Sequence, residues 1–121
     1  MKTCLIVDDS RVVRKVAGRI IQDLKFDVRE AGDGAEALTA CREDMPDAIL
    51  LDWSMPVMNG LDFLRALRRE RGGDKPTVVF CSTENDAEYI GEAMRSGANE
   101  FIMKPFDADI IESKFAEAGL L

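Results

Sequence analysis

Short apolar runs alternate along the chain with segments of helical period, and no repeat or low-complexity tract interrupts them. Thr3–Val7 is a continuous apolar run and reads as a buried strand. Val12, Val13, Val16, Ala17, Ile20, Ile21 and Leu24 then recur at helical spacing, predicting an amphipathic helix of about fourteen residues. Residues 27–31 form a weaker, more polar strand suited to a sheet edge. DGAE at 33–36 has the form of a capping box and starts a second helix near Asp33. AILL at 48–51 is apolar without alternation, as in a central parallel strand covered on both faces. Asn59, Gly60 and Asp62 open a third helix that ends before RGGDKP. TVVFC at 77–81 is a fourth strand, NDAE at 85–88 caps a fourth helix, and EFIM at 100–103 is a fifth strand. Asp107 caps a last helix, with Ile110, Ile111 and Phe115 facing inward.

Five strands alternating with five helices predict an α/β fold, a flavodoxin-like (βα)5 open sheet in three layers with right-handed crossovers. The first, third and fourth strands are richest in apolar residues and belong in the middle, which agrees with the parallel order 2-1-3-4-5. In such sheets ligands bind beyond the carboxyl ends of the strands, near the switch in strand order.

The 121 residues suit one domain, 1–121, with no output domain following. A hydrophobic fraction of 46% beside a charged fraction of 32% describes a globular chain, and no apolar run approaches a membrane span. The start of the chain lacks a secretory signal, so a cytoplasmic location is expected. Cys4, Cys41 and Cys81 are odd in number and widely spaced, and the chain has no histidine. That excludes the usual zinc patterns and favours small buried hydrophobes over a disulfide framework. A net charge of −7 argues against direct DNA or RNA binding. Nearly all of the excess lies in residues 84–121, where nine acids face only Arg95, Lys104 and Lys114.

The predicted strand ends carry the chemistry. Strand one runs into Asp8 and Asp9, strand three ends in Asp52, strand four in Ser82 and Thr83, and strand five in Lys104 and Pro105. Each has a structural role open to it alone: Asp9 or Ser10 as a helix cap, Asp52 as an Asx-turn, Ser82 as a strand end, Lys104 as a solvated lysine. Together, three carboxylates and one lysine leave a net of −2, and like charges held close do not all stay ionised unaided. A divalent cation resolves the conflict, and Mg2+ takes oxygen ligands of this kind. Asp52 is then a candidate nucleophile toward phosphorus, already anionic and needing no general base. Lys104 and the metal would neutralise the phosphoryl oxygens while Ser82 donates to one of them. No glycine-rich phosphate loop is present, so the donor is another phosphorylated molecule rather than ATP.

The pieces LIVDDS, LLDWSMPVMNG, CSTE and MKPF, at these separations, make the chain resemble a receiver domain of bacterial two-component signalling, of the stand-alone chemotaxis type. The resemblance implies a single-domain response regulator. Asp52 would accept a phosphoryl group from a phosphohistidine on a sensor histidine kinase or a phosphotransfer protein. It further implies that Asp8, Asp9, Asp52 and the Ser54 carbonyl hold Mg2+, that Ser82 and Lys104 contact phosphoryl oxygens, and that Phe101 occupies the aromatic switch position. Choosing Ser82 over Thr83 rests on the spacing back from Lys104. Ser54 and Glu84 fall where family members tune hydrolysis of the acyl phosphate, and the Lys104–Pro105 bond would be cis. Such a protein promotes its own phosphorylation and dephosphorylation without turning over an external substrate. It signals to a downstream protein through the face of helix four, strand five and helix five, as a monomer.

That face coincides with the acidic third of the chain, which fits either a partner with a basic surface or a solvated acidic face kept for solubility. Arg11, Lys15 and Arg19, with Arg14 nearby, form a basic strip on helix one that is either an ordinary solvated face or a dock for the phosphodonor. Two other readings share this topology. A Mg2+-dependent phosphohydrolase using an aspartyl-phosphate would want a second acid two residues after Asp52, where Ser54 stands. A flavodoxin-type electron carrier would want hydroxyls after strand one, where Asp8 and Asp9 stand.

Overall fold

Among the described residues, 1–83 and 87–121 of the computed structural model, five strands and five helices alternate strictly. They are β1 (Thr3–Val7), α1 (Arg11–Asp23), β2 (Asp27–Ala31), α2 (Gly34–Glu43), β3 (Ala48–Asp52), α3 (Gly60–Arg69), β4 (Thr77–Ser82), α4 (Ala87–Arg95), β5 (Glu100–Met103) and α5 (Ala108–Glu117). The strands pair in parallel in the order β2-β1-β3-β4-β5, as the apolar content of the runs predicts.

Two-residue alternation splits the core into two layers. Leu5, Val7, Ile49, Leu51, Val78 and Phe80 face α2 and α3, where Leu38, Phe63, Leu64 and Leu67 close the layer. Their neighbours Cys4, Ile6, Leu50, Val79, Cys81 and Ile102 face α1 and α5, against Ala17, Ile21, Ile111 and Phe115. Phe63, Phe80 and Phe115 are wholly buried, each contributing roughly 2–3 kcal/mol. Four helices start on a side-chain cap: Ser10, Asp33, Asn59 and Asp107 each accept the N–H three residues on. Such caps are worth about 1 kcal/mol each. At α2 the expected capping box is only half made, since Glu36 accepts from the Gly32 N–H rather than from Asp33. The cap expected at 85–88 falls largely outside the described residues.

Two apolar assignments are corrected. Val12 and Val16 are 72% and 52% exposed, because at 3.6 residues per turn they lie roughly 100–180° around α1 from the buried Ala17 and Ile21. Ile110 is also largely exposed, while Ile111 and Phe115 are buried. Ile110 likewise lies about 140° around α5 from Phe115, off the face that Ile111 and Phe115 share. The three cysteines are free and buried as expected, and burial pushes the thiols of Cys4 and Cys41 up to about 12 and about 11. Among the described residues no helix is long and apolar enough to cross a membrane.

Candidate functional site at the carboxyl edge of the sheet

β1, β3 and β5 lie in one parallel sheet, so their carboxyl ends share an edge, and the acids just after β1 and at the end of β3 meet the lysine that follows β5. Lys104 Nζ lies 2.7 Å from Asp8 Oδ2 and 3.0 Å from Asp52 Oδ1. One oxygen each from Asp8, Asp9 and Asp52 falls within 4.8 Å of the other two. Asp8 and Asp52 are almost fully buried, whereas Asp9 is exposed. The question of which residue caps α1 is settled by the Ser10 hydroxyl, which accepts from Val13 N–H and leaves the Asp9 carboxylate free of that duty. Asp8 is held more tightly: its Oδ1 accepts from Ser10 N–H at 2.8 Å and its Oδ2 from Lys104.

Asp52 owes its position to the turn that follows it. Trp53 N–H donates to the Cys81 carbonyl and Gly60 N–H to the Trp53 carbonyl, which folds the β3–α3 loop back onto the strand end. A Cβ on Gly60 would overlap the Asp52 carbonyl oxygen and lie 3.0 Å from the Trp53 Cα, so only glycine lets α3 begin there. On the far side Lys104 N–H donates to the Ser82 carbonyl, extending the β4–β5 pairing to the edge of the pocket. The Lys104–Pro105 peptide is cis.

The charges explain one another. Burial opposes the Lys104 ammonium, yet its hydrogen bonds to Asp8 and Asp52 outweigh burial and push its pKa up. Burial pushes the Asp52 carboxyl up against the pull of Lys104, and the negative charge of Asp8 and Asp9 adds to the rise. Anionic oxygens held together at a partly open edge suit a hard divalent cation. The donor set therefore fits Mg2+.

The other expected residues are arranged around this cluster. Ser82 is buried at the end of β4, while Thr83 is exposed, which favours Ser82 as the inward hydroxyl. Ser54 is exposed in the loop two residues past Asp52. Phe101 is half-buried and stacks on Phe80, with ring centroids 6.0 Å apart. Glu84 lies outside the described residues.

Two features escaped the sequence reading. Trp53 meets Phe80 edge-on at 5.0 Å and Tyr89 of α4 at 5.1 Å, so an aromatic row runs from Phe101 to α4 past the carboxyl end of β3. Arg14, expected beside an outer basic strip, instead turns inward to the Asp8 carbonyl at 2.7 Å and to Glu30 at 2.9 Å. Glu30 also pairs with Lys15, whose hydrogen bond is the main reason its carboxyl is held below the usual range. The aromatic content of WSMPVMNG and its neighbours was a signal for the first feature. Nothing local to Arg14 signalled the second.

Fold and pocket together define a doubly wound α/β protein with an acidic pocket at its strand-order switch whose carboxylates could hold a cation. Residues 4–116 match the family model described as "Response regulator receiver domain", and the chain belongs to that family. It is CheY-like. It is 35% identical over 111 residues to the chemotaxis protein CheY of Pseudomonas aeruginosa, covering 91% of this chain and 90% of that protein. It is also 38% identical over 102 residues to the DNA-binding response regulator MtrA of Mycobacterium tuberculosis, but spans only 43% of that protein. Among solved structures, the chemotaxis response regulator CheY4 of Vibrio cholerae superposes with a TM-score of 0.92 at 30% identity over 98% of each chain. CheY in the CheX-CheY-BeF3-Mg2+ complex of Borrelia burgdorferi is similar at a TM-score of 0.91, with 25% identity over 99% of this chain and 90% of that one. Aspartate phosphorylation in two-component signalling is a general property of this family, and the expectation of a signalling protein rather than a turnover enzyme agrees with it.

Proposed function

We propose that Asp52 accepts a phosphoryl group from a phosphohistidine of a sensor kinase or phosphotransfer protein, in a reaction that depends on Mg2+. The observation that carries this is Lys104, seated between the carboxylates of Asp8 and Asp52 with Asp9 beside them. Asp8, Asp9, Asp52 and the Ser54 carbonyl would hold the ion, which when bound supplies charge neutralisation and orientation for the phosphoryl oxygens. An Asp52 oxygen attacks phosphorus as the P–N bond to the donor imidazole breaks. The electron pair leaves on that nitrogen, and the ring departs neutral when its other nitrogen carries a proton. Lys104 neutralises one phosphoryl oxygen and Ser82 donates to another. Ser54 and Glu84, flanking the pocket in sequence, set how fast water reaches the acyl phosphate.

The donor approaches over α1. A groove of about 340 Å3 beside Lys104 is lined by Val12, Val16, Thr83, Pro105 and Phe106. The exposed valines would give a donor an apolar seat, and Lys15 and Arg19, which line a neighbouring groove with Val16, would add positive charge together with Arg11. Charge reversal of Arg11 and Lys15 that leaves the phosphotransfer rate unchanged would remove the docking role.

The signal leaves through α4, β5 and α5. As Ser82 moves toward the phosphoryl group, Phe101 turns and the aromatic row to Tyr89 repacks, biasing two arrangements of this face. Met94, Met103 and Ile110 place exposed apolar surface there amid the acidic excess. A basic partner with an apolar centre fits, and its affinity for the phosphorylated protein should fall with salt.

Incubation with Mg2+ and acetyl phosphate, read by mass, tests the central step. A single phosphoryl adduct on the wild type and none on Asp52→Ala is expected; equal adducts on both would move the acceptor elsewhere.

A further inference from the structure

Arg14 is the one cation bonded to the backbone of the two-acid turn among the described contacts, and the proposed phosphoryl chemistry gives it no part. Its Nη1 donates to the Asp8 carbonyl at 2.7 Å and its Nε to Glu30 Oε1 at 2.9 Å, with the guanidinium largely buried between α1 and β2. Asp8 N–H is already fixed by the Ala31 carbonyl, at the end of the β1–β2 ladder. With its carbonyl tied to Arg14, the peptide plane between Asp8 and Asp9 is held as well. That plane sets where the exposed Asp9 carboxylate stands relative to the anchored Asp8 and Asp52. From this we infer that Arg14, braced by Glu30, is a positioning residue that fixes the Asp8–Asp9 peptide and so raises the affinity of the acidic pocket for a divalent cation.

The inference rests on the reading that this pocket binds Mg2+. Its sign separates it from simple electrostatics. A positive charge near a cation site repels the cation, so charge alone makes removal of Arg14 tighten Mg2+ binding. Positioning makes the same removal weaken it, because groups that orient ligands from behind typically account for about 10–100-fold in metal affinity. The guanidinium fork reaches two acceptors in one plane, which the compact lysine ammonium does not reproduce.

The test is a Mg2+ titration without phosphodonor, followed by calorimetry and by the fluorescence of Trp53, the only tryptophan in the chain. Arg14→Met should bind Mg2+ about 10-fold more weakly than wild type. Arg14→Lys, which keeps the charge and the stem and is the milder change for folding, should bind about 3-fold more weakly. Urea unfolding of each variant confirms the folded state. Wild-type or tighter affinity in Arg14→Met, or wild-type affinity in Arg14→Lys, overturns the positioning role while leaving the pocket's own reading intact. A wild-type protein that binds no Mg2+ refutes the underlying reading, and this inference with it.

Discussion

Gly60→Ala tests how Asp52, the proposed acceptor, is held in place. The added methyl carbon would overlap the Asp52 carbonyl oxygen and press on the Trp53 Cα and the Asp52 carbonyl carbon, at 3.0 and 3.1 Å. All three are backbone atoms, so no side chain can swing aside. The start of α3 and the end of β3 must part by about 1 Å to restore ordinary contact. Overpacking of this kind costs roughly 1–3 kcal/mol. Loss of the Gly60 N–H bond to the Trp53 carbonyl adds about 1 kcal/mol, which the better helix propensity of alanine offsets by about the same amount. The expected net loss is about 2 kcal/mol. With a urea m-value of about 1.5 kcal/mol/M the unfolding midpoint should fall by about 1.3 M at unchanged slope. If Asp52 is the nucleophile as proposed, a displacement near 1 Å there should also slow phosphorylation by acetyl phosphate on the order of 100-fold at saturating Mg2+. A midpoint within about 0.3 M of wild type, together with a wild-type rate, would refute the claim that this close approach sets the acceptor.

Three further outcomes are expected. Because burial raises the Asp52 carboxyl, the folded protein binds its proton more tightly than the unfolded chain, so stability is lost as pH climbs above the ordinary value of 3.8. In chelator, Asp52→Asn should therefore lose less stability than wild type between pH 4 and 7, read by urea midpoints across that range. Lys104→Met removes the cation shared by two buried carboxylates and should cost about 3 kcal/mol in chelator, with Mg2+ restoring much of it; a midpoint insensitive to Mg2+ would count against a cation pocket. Arg68 donates to the carbonyls of Gly73, Pro76 and Gly97 and to the Asn99 side chain, so Arg68→Ala should cost about 3 kcal/mol. The same substitution should speed amide exchange around residues 97–99 while leaving acetyl phosphate reactivity intact.

Much of this was legible in the chain because both signals are periodic or punctuated. Apolar runs gave the strands, their richness gave the order, and the residues closing β1, β3 and β5 converged once that order was known. What stayed hidden depends on neighbours that no window contains. The apolar positions of α1 wrap around most of the helix, and nothing in their spacing says that Ala17 and Ile21 turn to the sheet while Val12 and Val16 turn to solvent. Arg14 lies within a run of basic residues, and only the Asp8 carbonyl and Glu30 draw it inward. Gly60 read as a helix start, whereas its necessity comes from the backbone of a strand end eight residues earlier. Asp9 and Ser10 were equivalent caps until the hydroxyl was seen to make the bond.

The ion pair from Lys104 to Asp8 closes a loop of 96 residues. On a ribosome, a nascent chain emerges with its first carboxylates long before the ammonium that counterbalances them has been translated. The pocket therefore holds its carboxylates without Lys104 until nearly the whole chain has been made, and truncated products ending before residue 104 lack that partner altogether.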